Sequence, residues 1–251
     1  SHCWRYARSR SLLRRCGELL TDEVMWDVSN CIFRLRERRH ATALFRHRAE
    51  EALLVLFESV FGRFKSFVEV NRERSAVLDN GPDSASVATL EFRPHSLPVA
   101  LKLLHFAISL INPEQHDTLR SAIGLHHRSQ NDEQTVALQT LGMKLVNTML
   151  CAAGPSLTSS PATRGMILDD LCRNVIRVSM ANDTLLVCSA LEAFQHLLAH
   201  CRQHLKPQVA MIFKYVYIKQ LAEQTKNPGN VRLRMILESL SDLSAMKWFW
   251  V

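Results

Sequence analysis

Apolar residues recur at three- and four-residue spacing along most of this chain, which is the pattern of helices that bury one face. Thr21 precedes two acidic residues and is predicted to cap one of these helices. The predicted helices cover residues 9–20, 22–38, 42–64, 96–111, 114–153, 164–179, 182–204, 207–225 and 230–244. No segment shows sustained period-two alternation between paired turn signals, so strands are not expected and the predicted class is all-α.

The succession of amphipathic helices with short links also predicts how they pack. Each hairpin of such helices buries its apolar face only against its neighbours, which is the arrangement of an α-solenoid. Because no fixed-period sequence identity marks a tetratricopeptide or ankyrin array, the sequence favours an armadillo/HEAT-like α-solenoid of stacked helix hairpins. The predicted organisation is a helical region over 1–70, a flexible loop over 71–93, further repeats over 94–153 with an insertion at 124–135, a connector over 154–163 and a last helical region over 164–251.

Composition narrows the class of protein. An apolar fraction of 47% against 22% charged residues, with eight Gly and eight Pro, excludes fibrous and low-complexity chains. No stretch approaches the roughly 18 uninterrupted apolar residues of a membrane helix. The N-terminal residues lack a starting Met and a signal-peptide pattern, so the chain is expected to be an internal fragment. Seven cysteines without a C-x-x-C motif predict buried thiols in a reducing compartment.

The net charge of +7 comes mostly from residues 1–48. A basic region of this kind attracts anionic lipid, an acidic partner or nucleic acid, or it is a helix face that contacts only solvent. The basic run over residues 34–40 has no interleaved aromatic residue to stack on bases, so nucleic acid is not expected. Weak attraction to an anionic membrane is expected from the N-terminal arginines, Arg5, Arg8, Arg10, Arg14 and Arg15. A basic helical-repeat module that binds nucleic acid or another acidic partner is the alternative function.

Motifs for catalysis are missing from the sequence. The glycine positions exclude a phosphate-binding loop, a dinucleotide fingerprint and a serine-nucleophile elbow. The nearest metal candidate is a set of histidines at four-residue spacing, His196, His200 and His204. Leu197, however, stands where a zinc-protease helix needs a glutamate. No catalytic residue, metal or cofactor is therefore expected, and the function is expected to lie in surfaces.

Several ordered segments carry a resemblance to known proteins. They are Cys31-Ile32-Phe33-Arg34, Leu44-Phe45-Arg46, Ala49-Glu50, Pro94-His95-Ser96-Leu97-Pro98, Ser109-Leu110-Ile111-Asn112-Pro113, Ala152-Ala153-Gly154-Pro155-Ser156-Leu157, Asp170-Leu171-Cys172-Arg173, Ser189-Ala190-Leu191, Leu197-Leu198, Cys201-Arg202 and Leu205-Lys206-Pro207-Gln208. In this order they resemble the large Arf guanine-nucleotide exchange factors of the Golgi type. The resemblance runs from the end of that family's N-terminal dimerisation region, in 1–70, to the start of its upstream-homology region, in 164–251.

The resemblance implies an armadillo-like regulatory solenoid that is cytoplasmic and peripheral at Golgi membranes. The implied partners are the exchange domain of the parent protein, an Arf-type or Rab-type small GTPase, other copies of the chain and, weakly, anionic membrane. No segment resembles the exchange domain with its catalytic glutamate, so the chain itself is not expected to be an enzyme. Apolar side chains at both ends are expected to be exposed for partner or self-association: Leu12, Leu13, Leu19, Leu237, Leu240, Leu243, Trp248, Phe249 and Trp250.

Overall fold

The computed structural model describes residues 21–38, 40–78, 97–122, 132–224 and 231–245, leaving aside the side chains of 73–78, 120 and 223–224. Regular structure in these ranges is entirely helical, which confirms the predicted all-α class there. The helices are α1 (Asp22–Arg36), α2 (Ala43–Leu78), α3 (Leu97–Ile111), α4 (His116–Ala122), α5 (Asp132–Ala153), α6 (Pro161–Met166), α7 (Cys172–Ser179), α8 (Thr184–Cys201), α9 (Lys206–Ile212), α10 (Lys219–Gln224) and α11 (Val231–Ala245). Two π-helical turns, Ile167–Leu171 and Phe213–Ile218, join α6 to α7 and α9 to α10.

The predicted helix bounds agree with the structure at several ends. Thr21 caps α1 as expected, because its hydroxyl oxygen accepts a hydrogen bond from the Val24 amide at 3.4 Å. Asn112 ends α3, and its side chain accepts from the Glu114 amide at 3.2 Å. The predicted connector over 154–163 is itself largely helical, since a 3₁₀ turn covers Gly154–Thr158 and α6 follows at Pro161.

The flexible loop predicted over 71–93 is wrong at its start. Helix α2 continues through residues 71–78, because that stretch holds neither Gly nor Pro and the first helix breaker is Gly81. Helix α5 begins at Asp132, within the segment 124–135 that is predicted to be an insertion, and that prediction stays a prediction. The remaining loop residues 79–93, the helix predicted over 9–20, the first residue of the helix predicted over 96–111 and residues 123–131 lie outside the described ranges.

The chain divides into two compact units, Ser1–Leu104 and His105–Val251, with the boundary inside α3. In the first unit, α1 packs against α2 and buries Phe33 and Phe57. Arg36, at the end of α1, is buried as well. Its guanidinium donates two hydrogen bonds, of 2.9 and 3.0 Å, to one carboxylate oxygen of Glu50 on α2 and another to Glu37. These hydrogen bonds offset the cost of removing the charged guanidinium from water, and they fix the position at which α1 contacts α2.

In the second unit, α5, α8 and α11 lie side by side, with α8 packed between the other two. The Asn147 amide of α5 donates to the Ser189 carbonyl at 3.0 Å and to the Glu192 carboxylate at 2.7 Å on α8. The Gln195 amide of α8 donates to the Asp242 carboxylate of α11 at 3.1 Å. The partners in these bonds are 42, 45 and 47 residues apart. We call this set of helices the first row.

A second row contains the helices that alternate with the first along the chain. The Gln208 amide of α9 donates to the Leu168 carbonyl at 3.2 Å, and the Gln220 amide of α10 donates to the Ser179 carbonyl at 2.8 Å. Because both pairs are separated by 40 or 41 residues, α6–α7 and α9–α10 run in the same direction. Arg177 bonds to Asn112, 65 residues away. The larger separation reflects α4, which lies between these two residues along the chain.

Glycine at position 142 lets α3 approach α5 closely. A Cβ atom there would lie 2.9 Å from the Leu110 Cβ, 3.0 Å from the Ile111 Cγ1 and 3.1 Å from the Ile111 amide nitrogen. The Gln139 amide donates to the Ile111 carbonyl at 3.0 Å. A ring nitrogen of His116, a buried residue, lies 2.8 Å from the Leu110 carbonyl. The end of α3 is therefore held on both sides of the glycine contact.

Helix α5 with its following turn, Asp132–Thr158, is long and apolar enough to cross a membrane by length and composition alone. Most of that apolar surface is buried inside the second unit, including Leu141, Leu145 and Met149. A helix that buries most of its apolar surface in this way is typical of a packed protein core. The packing of α5 against α8 therefore accounts for the apolar composition of α5.

Candidate interaction surface

Many of the predicted contact residues lie outside the described ranges, so their roles stay predictions. These are Arg5, Arg8, Arg10, Arg14, Arg15, Leu12, Leu13, Leu19, Trp248, Phe249 and Trp250. The described residues include the three that the sequence predicts on α11. Their positions on that helix can be compared with the expected exposure.

The three leucines of α11 differ in exposure. Leu237 is 51% exposed, as expected, and Leu240 is partly buried. Leu243 is only 1% exposed, so its predicted exposure is wrong. The reason is helical spacing: Leu243 follows the buried Ser239 by four residues, on the side of α11 that packs against α8 and α10. Association through α11 can therefore involve Leu237 and Leu240, but Leu243 belongs to the core.

A surface that the sequence reasoning missed lies on the outer side of α9, the following π-helical turn and α10. We call it the α9–α10 face and define it by Met211, Lys214, Tyr215, Ile218 and Lys219. Met211 is 48% exposed and Ile218 is 64% exposed, although both are large and apolar. No signal in the sequence marks this pair as facing outward, because the π-helical turn Phe213–Ile218 changes the phase of the helix between them.

The inner side of the same segment is firmly anchored. Tyr217 is buried, its hydroxyl lies 2.9 Å from the Ser239 hydroxyl, and burial raises the pKa of Tyr217 to about 12. Arg232 of α11 donates to the Gln220 side-chain oxygen at 3.0 Å and to the Ser179 carbonyl at 2.9 Å. Because these bonds fix the rotation of the segment, its outward side chains are held in place.

The histidines considered as metal ligands lie on α8 and in the turn after it. The His196 and His200 rings are stacked with their centroids 6.2 Å apart, and a ring nitrogen of His196 is 4.0 Å from the Glu192 carboxylate. His204 falls in the 3₁₀ turn Arg202–His204. Among the described residues, no group of three or more His, Cys, Asp or Glu side chains is arranged to hold a metal ion.

The five cysteines within the described ranges divide into two groups. Cys172 and Cys201 are buried, and burial raises the pKa of the first thiol to about 12 and of the second to about 11. Cys31, Cys151 and Cys188 are exposed, so the prediction of buried thiols is wrong for these three. Each of them occupies the solvent side of an otherwise amphipathic helix, where a small apolar side chain costs little.

The described structure is thus a helical protein that presents helix faces, among them the α9–α10 face, rather than a cluster of reactive groups.

Comparison with known families identifies the family to which the chain belongs. The model of the Mon2/Sec7/BIG1-like HUS domain matches residues 97–249, which is more than half of the chain. The chain belongs to this family, and the resemblance to the large Arf exchange factors is confirmed. The match begins well before residue 164, where the sequence analysis starts the upstream-homology region.

Three curated relatives are similar to the chain. The ARF guanine-nucleotide exchange factor GNOM of Arabidopsis thaliana is 24% identical over 63% of the chain, and GNL1 of the same plant, also an ARF guanine-nucleotide exchange factor, is 23% identical over 71%. The uncharacterized protein C211.03 of Schizosaccharomyces pombe is 22% identical over 93%. The matches span only 10%, 12% and 16% of the respective relatives' lengths. The HUS domain is separate from the catalytic Sec7 domain.

Proposed function

We propose that this chain is a non-catalytic regulatory and scaffolding region of an Arf guanine-nucleotide exchange factor, acting in Golgi vesicle traffic through protein and membrane contacts. The observation that carries the proposal is the HUS domain match over residues 97–249. Two relatives named as ARF guanine-nucleotide exchange factors support it. The region is cytoplasmic and peripheral at Golgi membranes in this proposal.

The proposal includes an armadillo/HEAT-like solenoid as the architecture. Its support is the alternation of the two rows and the separations of 40 to 47 residues between hydrogen-bonded neighbours, a repeat length typical of such hairpins. A solenoid suits a scaffold because stacked helices expose long continuous surfaces to partners. In the proposed scheme, 1–70 ends a dimerisation region and 164–251 lies within the upstream-homology region.

The proposed partners are the exchange domain of the parent protein, an Arf-type or Rab-type small GTPase, and a second copy of the chain. Leu237 and Leu240 on α11 are the described residues that the proposal assigns to such contacts. A leucine exposed on a helix face favours burial against a partner.

Release of a fluorescent nucleotide from Arf tests the proposal. The chain alone is expected to leave the release rate unchanged, whereas the chain added to the separate exchange domain is expected to bind it and change its rate. Leu237→Asp should weaken that binding, and Leu185→Asp on α8, where the leucine is 69% exposed, serves as the matched control. Faster release by the chain alone, or no binding to the exchange domain, to Arf or to itself, overturns the proposed function.

A further inference from the structure

The α9–α10 face has apolar side chains that the described fold does not use. Ile212, Val216 and Tyr217 of the same segment are buried and supply its packing, while Met211 and Ile218 point away from them. Exposed large apolar side chains at the centre of an outer helix face add nothing to folding stability. When they cluster with charged neighbours, they mark a surface that contacts something else.

The ionisable residues that define this face are basic. Residues 206–222 include Lys206, Lys214 and Lys219 and contain no Asp or Glu, and the next acidic residue along the chain is Glu223. The Lys214 ammonium lies 5.4 Å from the centre of the Tyr215 ring, so a cation and an aromatic ring lie close together on this face. A helix face of exposed apolar side chains flanked by lysines has the composition of a helix that lies in the interface of an anionic bilayer.

The neighbouring helix completes the charge pattern. The bonds from Gln208 to Leu168 and from Gln220 to Ser179 set a register of 40 to 41 residues, and this register brings Lys214 level with Arg173 on the exposed side of α7. Asp169 and Asp170, also exposed, lie at the other end, near Met211. The half of the face around Ile218 is therefore the basic half.

The composition of the face favours an anionic bilayer. Met211 and Ile218 can enter the apolar side of the interface while the stem of the neighbouring Lys214 keeps its ammonium group at the headgroup level. The positive charge complements anionic lipid.

We propose that the α9–α10 face is the surface through which this region contacts anionic membrane, with Ile218 entering the interface and Lys214 bonding to lipid phosphate or carboxylate groups. This inference rests on the membrane contact of the proposed function and assigns it to described residues, whereas the sequence assigns it to the N-terminal arginines.

Flotation of the 251-residue chain with vesicles tests the assignment. The probes are vesicles of phosphatidylcholine alone and of phosphatidylcholine with phosphatidylserine in equal parts, at low ionic strength. We expect recovery only with phosphatidylserine, and less of it as salt is added. One lysine near such a surface is worth about 1 kcal/mol, or about fivefold in partitioning, so Lys214→Gln combined with Ile218→Ser should lower binding about tenfold or more.

A matched double variant on the first row is the control. Leu185→Ser with Arg234→Gln removes one exposed aliphatic side chain and one exposed positive charge far along the sequence from the face, and it should bind as the unchanged chain does. Circular dichroism checks that both variants keep their helices. Equal binding by the two double variants, or no dependence on phosphatidylserine, overturns the assignment.

The outcome is separable from that of the proposed function. Binding to the exchange domain is measured in solution without vesicles, so a chain that binds the exchange domain but no vesicle refutes the membrane assignment alone. If the Lys214→Gln and Ile218→Ser variant loses binding to the exchange domain instead, the α9–α10 face is a protein interface and the membrane assignment is wrong.

Discussion

Replacement of Gly142 by alanine tests the packing between α3 and α5. The new methyl group would lie 2.9 to 3.1 Å from three atoms of α3, one of them the backbone nitrogen of Ile111. That nitrogen has little room to move, because the Ile111 carbonyl accepts from Gln139 and a His116 ring nitrogen lies 2.8 Å from the Leu110 carbonyl. The clash must then be relieved by shifting the whole end of α3.

The magnitude follows from two opposing contributions. Adding a methyl group to a filled core costs about 1–3 kcal/mol of unfolding free energy. Alanine in place of glycine inside a helix returns up to about 1 kcal/mol. We expect a net loss of about 1–2 kcal/mol, and a melting temperature lowered by roughly 2–8 °C at about 2–4 °C per kcal/mol.

Urea unfolding followed by circular dichroism measures this loss. Gly165→Ala in α6 is the matched control, because a Cβ atom there has no atom within 4 Å, and this variant should gain up to about 1 kcal/mol. A Gly142→Ala variant as stable as the unchanged chain, or more stable, refutes the packing argument.

Three further predictions concern other parts of the described fold. Arg36→Ala should lower the unfolding free energy by about 2–4 kcal/mol, since it removes both hydrogen bonds from the guanidinium to the Glu50 carboxylate. Arg34→Ala on the exposed side of α1 should change little, and urea unfolding measures both variants. Asp183→Ala should lower the unfolding free energy by about 1 kcal/mol, because the Asp183 carboxylate accepts a hydrogen bond of 2.9 Å from the Leu186 amide in the first turn of α8. Thermal melts of this variant and of the control Asn182→Ala, at an exposed position, measure the difference. The pKa of the Cys172 thiol is raised from 9.0 to about 12, so above pH 9 the folded chain keeps a proton that the unfolded chain releases. The unfolding free energy should therefore fall as the pH rises from 9 towards 12, and it should fall less in Cys172→Ala. Unfolding at pH 8 and pH 10 measures the difference.

Helix ends were predictable where single residues decide them. Thr21 supplies a hydroxyl to the first turn of α1, and Asn112-Pro113 ends α3, because capping and proline geometry are local properties that the sequence states directly. The loop predicted from residue 71 failed because residues 71–78 contain neither Gly nor Pro, and polarity alone does not end a helix.

The α9–α10 face was harder to predict, because tertiary packing decides which side chains of this segment point outward. A π-helical turn at Phe213–Ile218 holds an extra residue per turn, so the strict 3.6-residue spacing does not say which apolar side chains face the core. The bond from Tyr217 to Ser239 selects the buried side, and Ser239 is 22 residues away. Leu243 shows the same dependence, since only the packing of α11 decides that it is buried.

The similar separation of several hydrogen-bonded neighbours has a consequence for the kinetics of folding. In the second unit, the bonds that join α5 to α8, α8 to α11, and α6–α7 to α9–α10 connect residues 40 to 47 apart, so each of these helices closes a loop of similar size when it docks. The bond from Arg177 to Asn112 closes a longer loop, of 65 residues. Structure can then nucleate at α8, the helix packed between two others in the first row, and spread towards either side. Hydrogen exchange should be slowest at α8 and faster at α11, and the unit should open from an edge rather than all at once.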